Sequence, residues 1–140
     1  MTTPSLPTTV RSQADLELFW RTAMEPLGFS RPALWITFIR DGEPSGVLIE
    51  ITDLPRTPQV EDLDGFAAML DGIAAEHPGA SAAILLARPG RGGVTGRDRT
   101  WAAGLRAAAE RAHVAFEPVH LATDDTLVPV TPDDLAGVTA

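Results

Sequence analysis

The segment Ser81-Ala82-Ala83-Ile84-Leu85-Leu86-Ala87 constrains the fold more than any other part of the chain. An apolar run of this length without alternation reads as a strand buried on both faces, and such a strand needs a packed layer on each side of its sheet. Ala33–Arg40 (ALWITFIR), β-branched and aromatic on both faces, makes the same demand. Both segments therefore point to a sheet covered by helices.

The rest of the sequence supplies those helices. Ser12 with Asp15 forms a capping-box pattern, and Leu16, Phe19, Trp20, Ala23, Met24 and Leu27 follow at helical spacing. Pro26 and Gly28 end that helix at about Met24 or Glu25. After Ala33–Arg40, a five-residue hairpin loop is expected over Asp41–Ser45, with a returning strand over Gly46–Thr52. Thr57-Pro58 reads as an N-cap followed by proline at the first helical position. The second helix then presents Val60, Leu63, Phe66, Ala67, Leu70, Ile73 and Ala74, weakened by Gly65 and Gly72, and His77-Pro78-Gly79 closes it.

Thr95 with Asp98 opens a third, alanine-rich helix running to about His113, with Trp101, Leu105, Ala108 and Ala112 on its inner face. Val114–Leu121 reads as a strand that Pro118 confines to an edge or a bulge. Leu127–Val130 suggests one more short strand, and Thr131-Pro132-Asp133 a final helical turn. The expected order is α-β-β-α-β-α-β, a single α/β domain over residues 11–136 after a flexible leader at 1–10, with a mixed sheet of four or five strands. Strands joined through helices should run parallel, and the first should run against the second.

Composition excludes several chemistries. Without cysteine there is no disulfide, thiolate metal site or cysteine nucleophile. The net charge of −8 repels nucleic acid and anionic lipid, and no apolar run is long enough for a signal peptide or a membrane span, so a cytoplasmic location is expected. His77, His113 and His120 lack metal-ligand spacing, and the first two sit where they would cap helix C-termini. No serine lies in a nucleophile elbow. Neither a metal nor a cofactor is expected.

One loop stands out. Arg88–Arg99 holds four arginines and one acid, a local charge of +3 that leaves −11 on the rest of the chain. All eleven basic residues are arginine, which selection for bidentate recognition would produce and arginine-favouring codon usage would also produce. The loop follows a parallel strand and precedes a helix N-terminus, on the sheet edge where α/β proteins place ligands. Asp53, Thr123-Asp124 and Ser30-Arg31 belong to the same edge. A phosphate loop needs a lysine followed by serine or threonine, and a dinucleotide fingerprint needs glycine at Thr95, so both motifs fail. Arg88, Arg91, Thr95, Asp98 and Asp53 are the candidate ligand-binding residues. They compete with the plainer reading of a solvated loop whose glycines supply turns. Asp53 and Asp98 could alternatively converge as two carboxylates for acid–base chemistry.

Two resemblances follow from these residues. Val10-Arg11-Ser12-Gln13-Ala14-Asp15-Leu16, Leu27-Gly28-Phe29 and Asp53-Leu54-Pro55 resemble the L-R-S-P-A-D-L, L-G-F and D-L-P motifs of an actinobacterial domain family of unknown function. Ile84–Gly90 is similar to the zinc-site strand of the RadC branch of the JAB/MPN metalloprotease fold, which ends in H-x-H-P-S-G and adds an aspartate about ten residues later. Here the two histidine positions hold Leu86 and Arg88, and the aspartate position falls at Arg99 or, with a one-residue gap, at Asp98. That resemblance implies a metal-free relative without the hydrolytic mechanism. The expected function is a non-enzymatic interaction or regulatory domain with a protein partner or a second copy of itself. The alternative is binding of a small phosphate or carboxylate anion at the loop.

Overall fold

The computed structural model describes residues 7–25 and 27–130. Three helices and five strands follow in the order α1 (Gln13–Met24), β1 (Ala33–Arg40), β2 (Glu43–Thr52), α2 (Val60–Ala74), β3 (Ser81–Ala87), α3 (Gly96–Arg111), β4 (His120–Ala122) and β5 (Leu127–Pro129). The sheet order is β2-β1-β3-β4-β5. β1 is antiparallel to both of its neighbours, β3 and β4 are parallel, and β5 is antiparallel to β4. The helix-linked strands β2, β3 and β4 thus share one direction, as their connections require, although β1 lies between β2 and β3.

Two cores sit on opposite faces of this sheet. Leu34, Ile36 and Phe38 of β1 and Ala82, Ile84 and Leu86 of β3 pack with Phe66 and Leu70 of α2 and with Trp101, Ala102, Leu105, Ala108 and Ala109 of α3. The alternate residues Ile39, Ala83, Leu85 and Ala87 meet Leu16, Phe19, Trp20 and Met24 of α1. The unbroken apolar pattern of β3 is explained by these two layers. Val10, placed in the leader by its sequence, is buried in the second core, and its N–H donates to the Gly42 carbonyl at 2.6 Å. The residues at Thr131–Asp133 lie outside the described part of the chain.

Four local expectations are corrected. The hairpin turn is only Asp41-Gly42, both with positive φ (52° and 77°), which suits the twist of the flanking strands. The surplus residues enter a bulge instead. Register steps from Thr37↔Leu48 to Ile39↔Pro44, with Gly46 at φ 85°. Thr37 Oγ1, fully buried, donates to the Val47 carbonyl at 2.6 Å and compensates the broken ladder.

The second helix is capped by Gln59 rather than Thr57, because the Asp62 carboxylate accepts from the Gln59 N–H at 3.1 Å. Val60, at the first helical position, is 71% exposed and does not reach the core. The strand expected over Val114–Leu121 is split. A bridge joins Phe116 to Ala82, and regular pairing resumes only at His120, since Pro118 has no N–H for the ladder. Of the edge or bulge expected at Pro118 the bulge is present: the partner offset grows by one residue from Ala82↔Phe116 to Leu85↔His120, in a segment that lies between β3 and β5 and not at an edge.

The helix C-termini differ from expectation as well. At the end of α3, His113 adopts φ 57°, its N–H donates to Glu110 O, and the Val114 N–H donates to Ala109 O. This Schellman arrangement uses the His113 backbone and not its ring. The ring of His77 stacks on Phe38 with centroids 5.6 Å apart.

Replacing Thr37 by valine keeps the side-chain shape and removes the donor to Val47. Chemical denaturation is expected to show a loss of about 1 kcal/mol, the net contribution of a hydrogen bond to a partly buried acceptor. Unchanged stability would mean that the bulge does not depend on this bond.

Candidate functional site

Cα pairing places Thr52, Ala33, Ala87, Ala122 and Leu127 along one sheet edge. The chain leaves this edge at Asp53, Arg88 and Thr123, so the loops sequence analysis grouped together do meet there. What they make is an internally bonded clasp.

Arg88, the first residue after β3, turns its guanidinium onto Asp98, the third residue of α3. Nε donates to Oδ1 and Nη2 to Oδ2, each at 2.8 Å. The pair is bidentate and largely buried, with side chains 18% and 5% exposed. Arg88 also donates to the carbonyls of Pro89 and Gly93 at 3.2 Å. Asp98 Oδ2 in turn accepts from the Thr95 N–H and Thr95 Oγ1, both at 2.9 Å, while Thr95 Oγ1 accepts from the Asp98 N–H. The capping box read from the sequence is therefore present, and the same carboxylate serves both the helix N-terminus and the arginine.

Burial pushes the Asp98 carboxyl up, but the hydrogen bonds from Arg88 and Thr95 and the arginine charge outweigh it, so it lies below the usual carboxylate range. The hydrogen bonds to Asp98 raise Arg88 above its ordinary value against the opposing effect of burial.

The glycine segment is held from the other side by the β4–β5 turn. The Gly90 N–H donates to Asp124 Oδ2 at 2.8 Å, and the Asp124 N–H donates to Gly90 O at 2.9 Å. The second oxygen of Asp124 accepts from the Phe29 N–H at 3.0 Å, so one carboxylate ties the start of β1 to the loop. These two amide donors hold the half-buried Asp124 carboxyl below its ordinary value. Gly92 N–H donates to Asp125 Oδ1 at 3.2 Å, and Thr126 Oγ1 donates to Gly92 O at 3.2 Å. Thr123, fully buried, donates to Asp125 and shares a 2.7 Å bond with Thr126.

The sequence placed Thr123-Asp124 at this edge without pointing to Asp124 or Asp125 as partners of the loop. Their role was open to discovery from topology, since two acceptors that follow β4 must face a glycine-rich loop that follows β3.

The remaining candidates are dispersed. Arg91 is exposed at the outer surface of the loop. Asp53 is exposed at the end of β2 with φ 59°, while Asp98 is already engaged. Because β1 separates β2 from β3, Thr52 and Ala87 are two strand spacings apart, about 10 Å. His120 is buried, with Nδ1 3.2 Å from Pro118 O, and burial lowers it below the ordinary histidine value. Among the described residues, no group of three His, Asp or Glu side chains could hold a metal ion, and no helix is long and apolar enough to cross a membrane. Comparison with known protein families, characterised proteins and solved structures gives no match.

Arg88→Met retains much of the side-chain bulk but strands the Asp98 carboxylate, and should cost about 3–5 kcal/mol in denaturant titration. Adding Asp98→Asn should recover part of that loss, and strict additivity would show that the two residues are not coupled. The lowered Asp98 value also predicts a pH effect. Its contribution is complete above the unfolded carboxylate value and is lost as pH falls from about 4 through the folded value. Thermal melts at decreasing pH should show a smaller acid destabilisation in Asp98→Asn than in wild type; equal acid dependence would remove Asp98 as its source.

Proposed function

We propose that this domain works by binding a partner protein rather than by catalysis, and that the partner adds an extended segment to the edge strand β2. The observation that carries this reading is the form of β2. It is ten residues long, forms one border of the sheet, and pairs with β1 alone among the described strands. Its regularly paired stretch Leu48–Thr52, beyond the bulge, presents a row of backbone donors and acceptors to an incoming strand. The opposite border, β5, has only three residues.

Leu48, on the α1 side of β2, is 37% exposed and offers an apolar contact for such a segment. The charged residues of β2 are Glu43 and Glu50, both exposed, in a chain of net charge −8. These charges favour a basic segment and disfavour pairing of β2 with a second copy of itself.

The clasp supports the same choice over an anion site. An anion at the loop would need Arg88 and the amides of Gly90, Gly92 and Thr95, and all four already donate to carboxylates of the chain. The likeness to the RadC branch bears on this too. Leu86 and Arg88 stand at the two histidine positions, and the Asp98 carboxylate is committed to Arg88 rather than open to a cation.

The test combines light scattering on the purified chain with NMR titration by extended peptides bearing alternate Lys or Arg residues. A monomer is expected, with amide shifts confined to β2 and its neighbours, and Leu48→Arg should weaken binding by about tenfold. Shifts centred elsewhere, or no shift with any peptide, would overturn the reading. A dimer dissociated by Leu48→Arg would overturn the choice of occupant by assigning the edge to self-pairing.

A further inference from the structure

The α1 side of the β2 border is not uniform, and the order of its residues restricts which segment can pair there. Cross-strand partners share a sheet face. Glu50 stands opposite Trp35, which packs against the α1-side core, and Leu48 stands opposite Thr37, two residues along. Leu48 and Glu50 therefore lie side by side on the α1 face. Leu48 is one of three large apolar side chains exposed among the described residues. Glu50 is exposed too, and makes no ion pair among the described residues.

A groove of about 480 Å³ opens beside Leu48. Pro44, Gly46 and Val47 form one wall with Leu48, and residues 7–9 form the other. Its floor, Phe19 and Thr37, belongs to the buried interior, but its walls are surface: Thr8, Thr9, Gly46 and Leu48 are exposed, and Pro44 and Val47 half-buried. The first wall is the bulge of β2. Between the pairs Thr37↔Leu48 and Ile39↔Pro44, β2 advances four residues while β1 advances two. Such a bulge re-aims the side chains around it, and the bond from Thr37 Oγ1 to the Val47 carbonyl fixes this one. The groove thus begins where the regular stretch of β2 ends, on the same face as Leu48 and Glu50.

Resting on the reading of β2 as a partner-binding border, we infer that the partner segment carries an aromatic side chain that enters this groove and, two residues away, a basic side chain that meets Glu50. The spacing follows from strand geometry. Residues two apart on an added strand share a face, so a side chain beside Leu48 and one beside Glu50 must be separated by a single residue. A parallel segment reads aromatic-x-basic, and an antiparallel one basic-x-aromatic. Size selects the first residue: at about 30 Å³ per water the groove holds roughly sixteen waters, more space than an aliphatic side chain fills. Charge selects the second, and also excludes a second copy of the chain. β2 contains no basic residue, so its own edge supplies no cation opposite Glu50 in any register.

The probes are short threonine- and valine-rich peptides of identical composition, titrated into the intact chain and followed by amide NMR. In one pair Phe and Lys are separated by one residue, in either order; in the control they are adjacent, which sends them to opposite faces of a strand. One of the two spaced orders is expected to bind about tenfold more tightly than the control, with shifts at Val47, Leu48 and Glu50. Replacing its Phe by alanine should remove that advantage. Thr9→Trp, which fills the groove from an exposed wall, should erase the preference for Phe over alanine. Glu50→Lys should weaken the spaced peptide about fivefold, and a peptide with Glu in place of Lys should restore binding to that variant. Equal affinity for spaced and adjacent peptides, with shifts still on β2, would overturn this inference and leave the border reading standing. Rescue of the Glu peptide by Glu43→Lys instead of Glu50→Lys would do the same. Absence of shifts on β2 with every peptide would overturn both.

Discussion

The pairing of Arg88 with Asp98 joins the end of β3 to the start of α3, and the sheet edge is arranged around it. A buried carboxylate costs several kcal/mol to desolvate unless its oxygens are satisfied. Here one oxygen accepts from Arg88 Nε, and the other accepts from Arg88 Nη2 and from both donors of Thr95. The guanidinium is likewise occupied by the carbonyls of Pro89 and Gly93. With the loop drawn inward at both ends, Gly90 and Gly92 fall beside the β4–β5 turn, whose acids complete the closure. Counting Asp98, Asp124 and Asp125 against the four arginines of the segment leaves a local charge of +1.

Much of the fold was legible in the sequence, and for identifiable reasons. β1 and β3 have the bounds their composition suggests, because a strand covered on both faces is apolar throughout and is interrupted sharply by the polar loop that follows. The inner faces of α1 and α3 were visible for the same reason, since burial imposes a 3.6-residue period. Illegible features depend on contacts between segments. The bulge after Gly46 is set by pairing with Thr37, and Pro118 is tolerated in the interior because the ladder to β3 resumes at His120. Pattern alone could not show either compensation.

The candidate site illustrates the same limit more sharply. Residue types and topology located Arg88, Thr95 and Asp98 together at the correct edge, and the Thr95–Asp98 capping box formed as its spacing implies. Charge counting already set Asp98 against one arginine but could not show that Arg88 is the one it holds, because an arginine ten residues before an aspartate does not announce a pair in sequence. Only the return of α3 against the end of β3 brings them together. Arg91 and Asp53 stay outside the clasp, both exposed. Two helices pack on one face of the sheet and one on the other.

Amide hydrogen exchange at the loop, followed residue by residue by NMR with and without inorganic phosphate, tests the clasp most directly. Gly90, Gly92 and Thr95 each donate to a carboxylate of the chain, so their amides should exchange far more slowly than in an unstructured peptide, and phosphate should leave those rates unchanged. Exchange at free-peptide rates that slows only when phosphate is added would contradict the account, because it would show that the donors wait for an external anion.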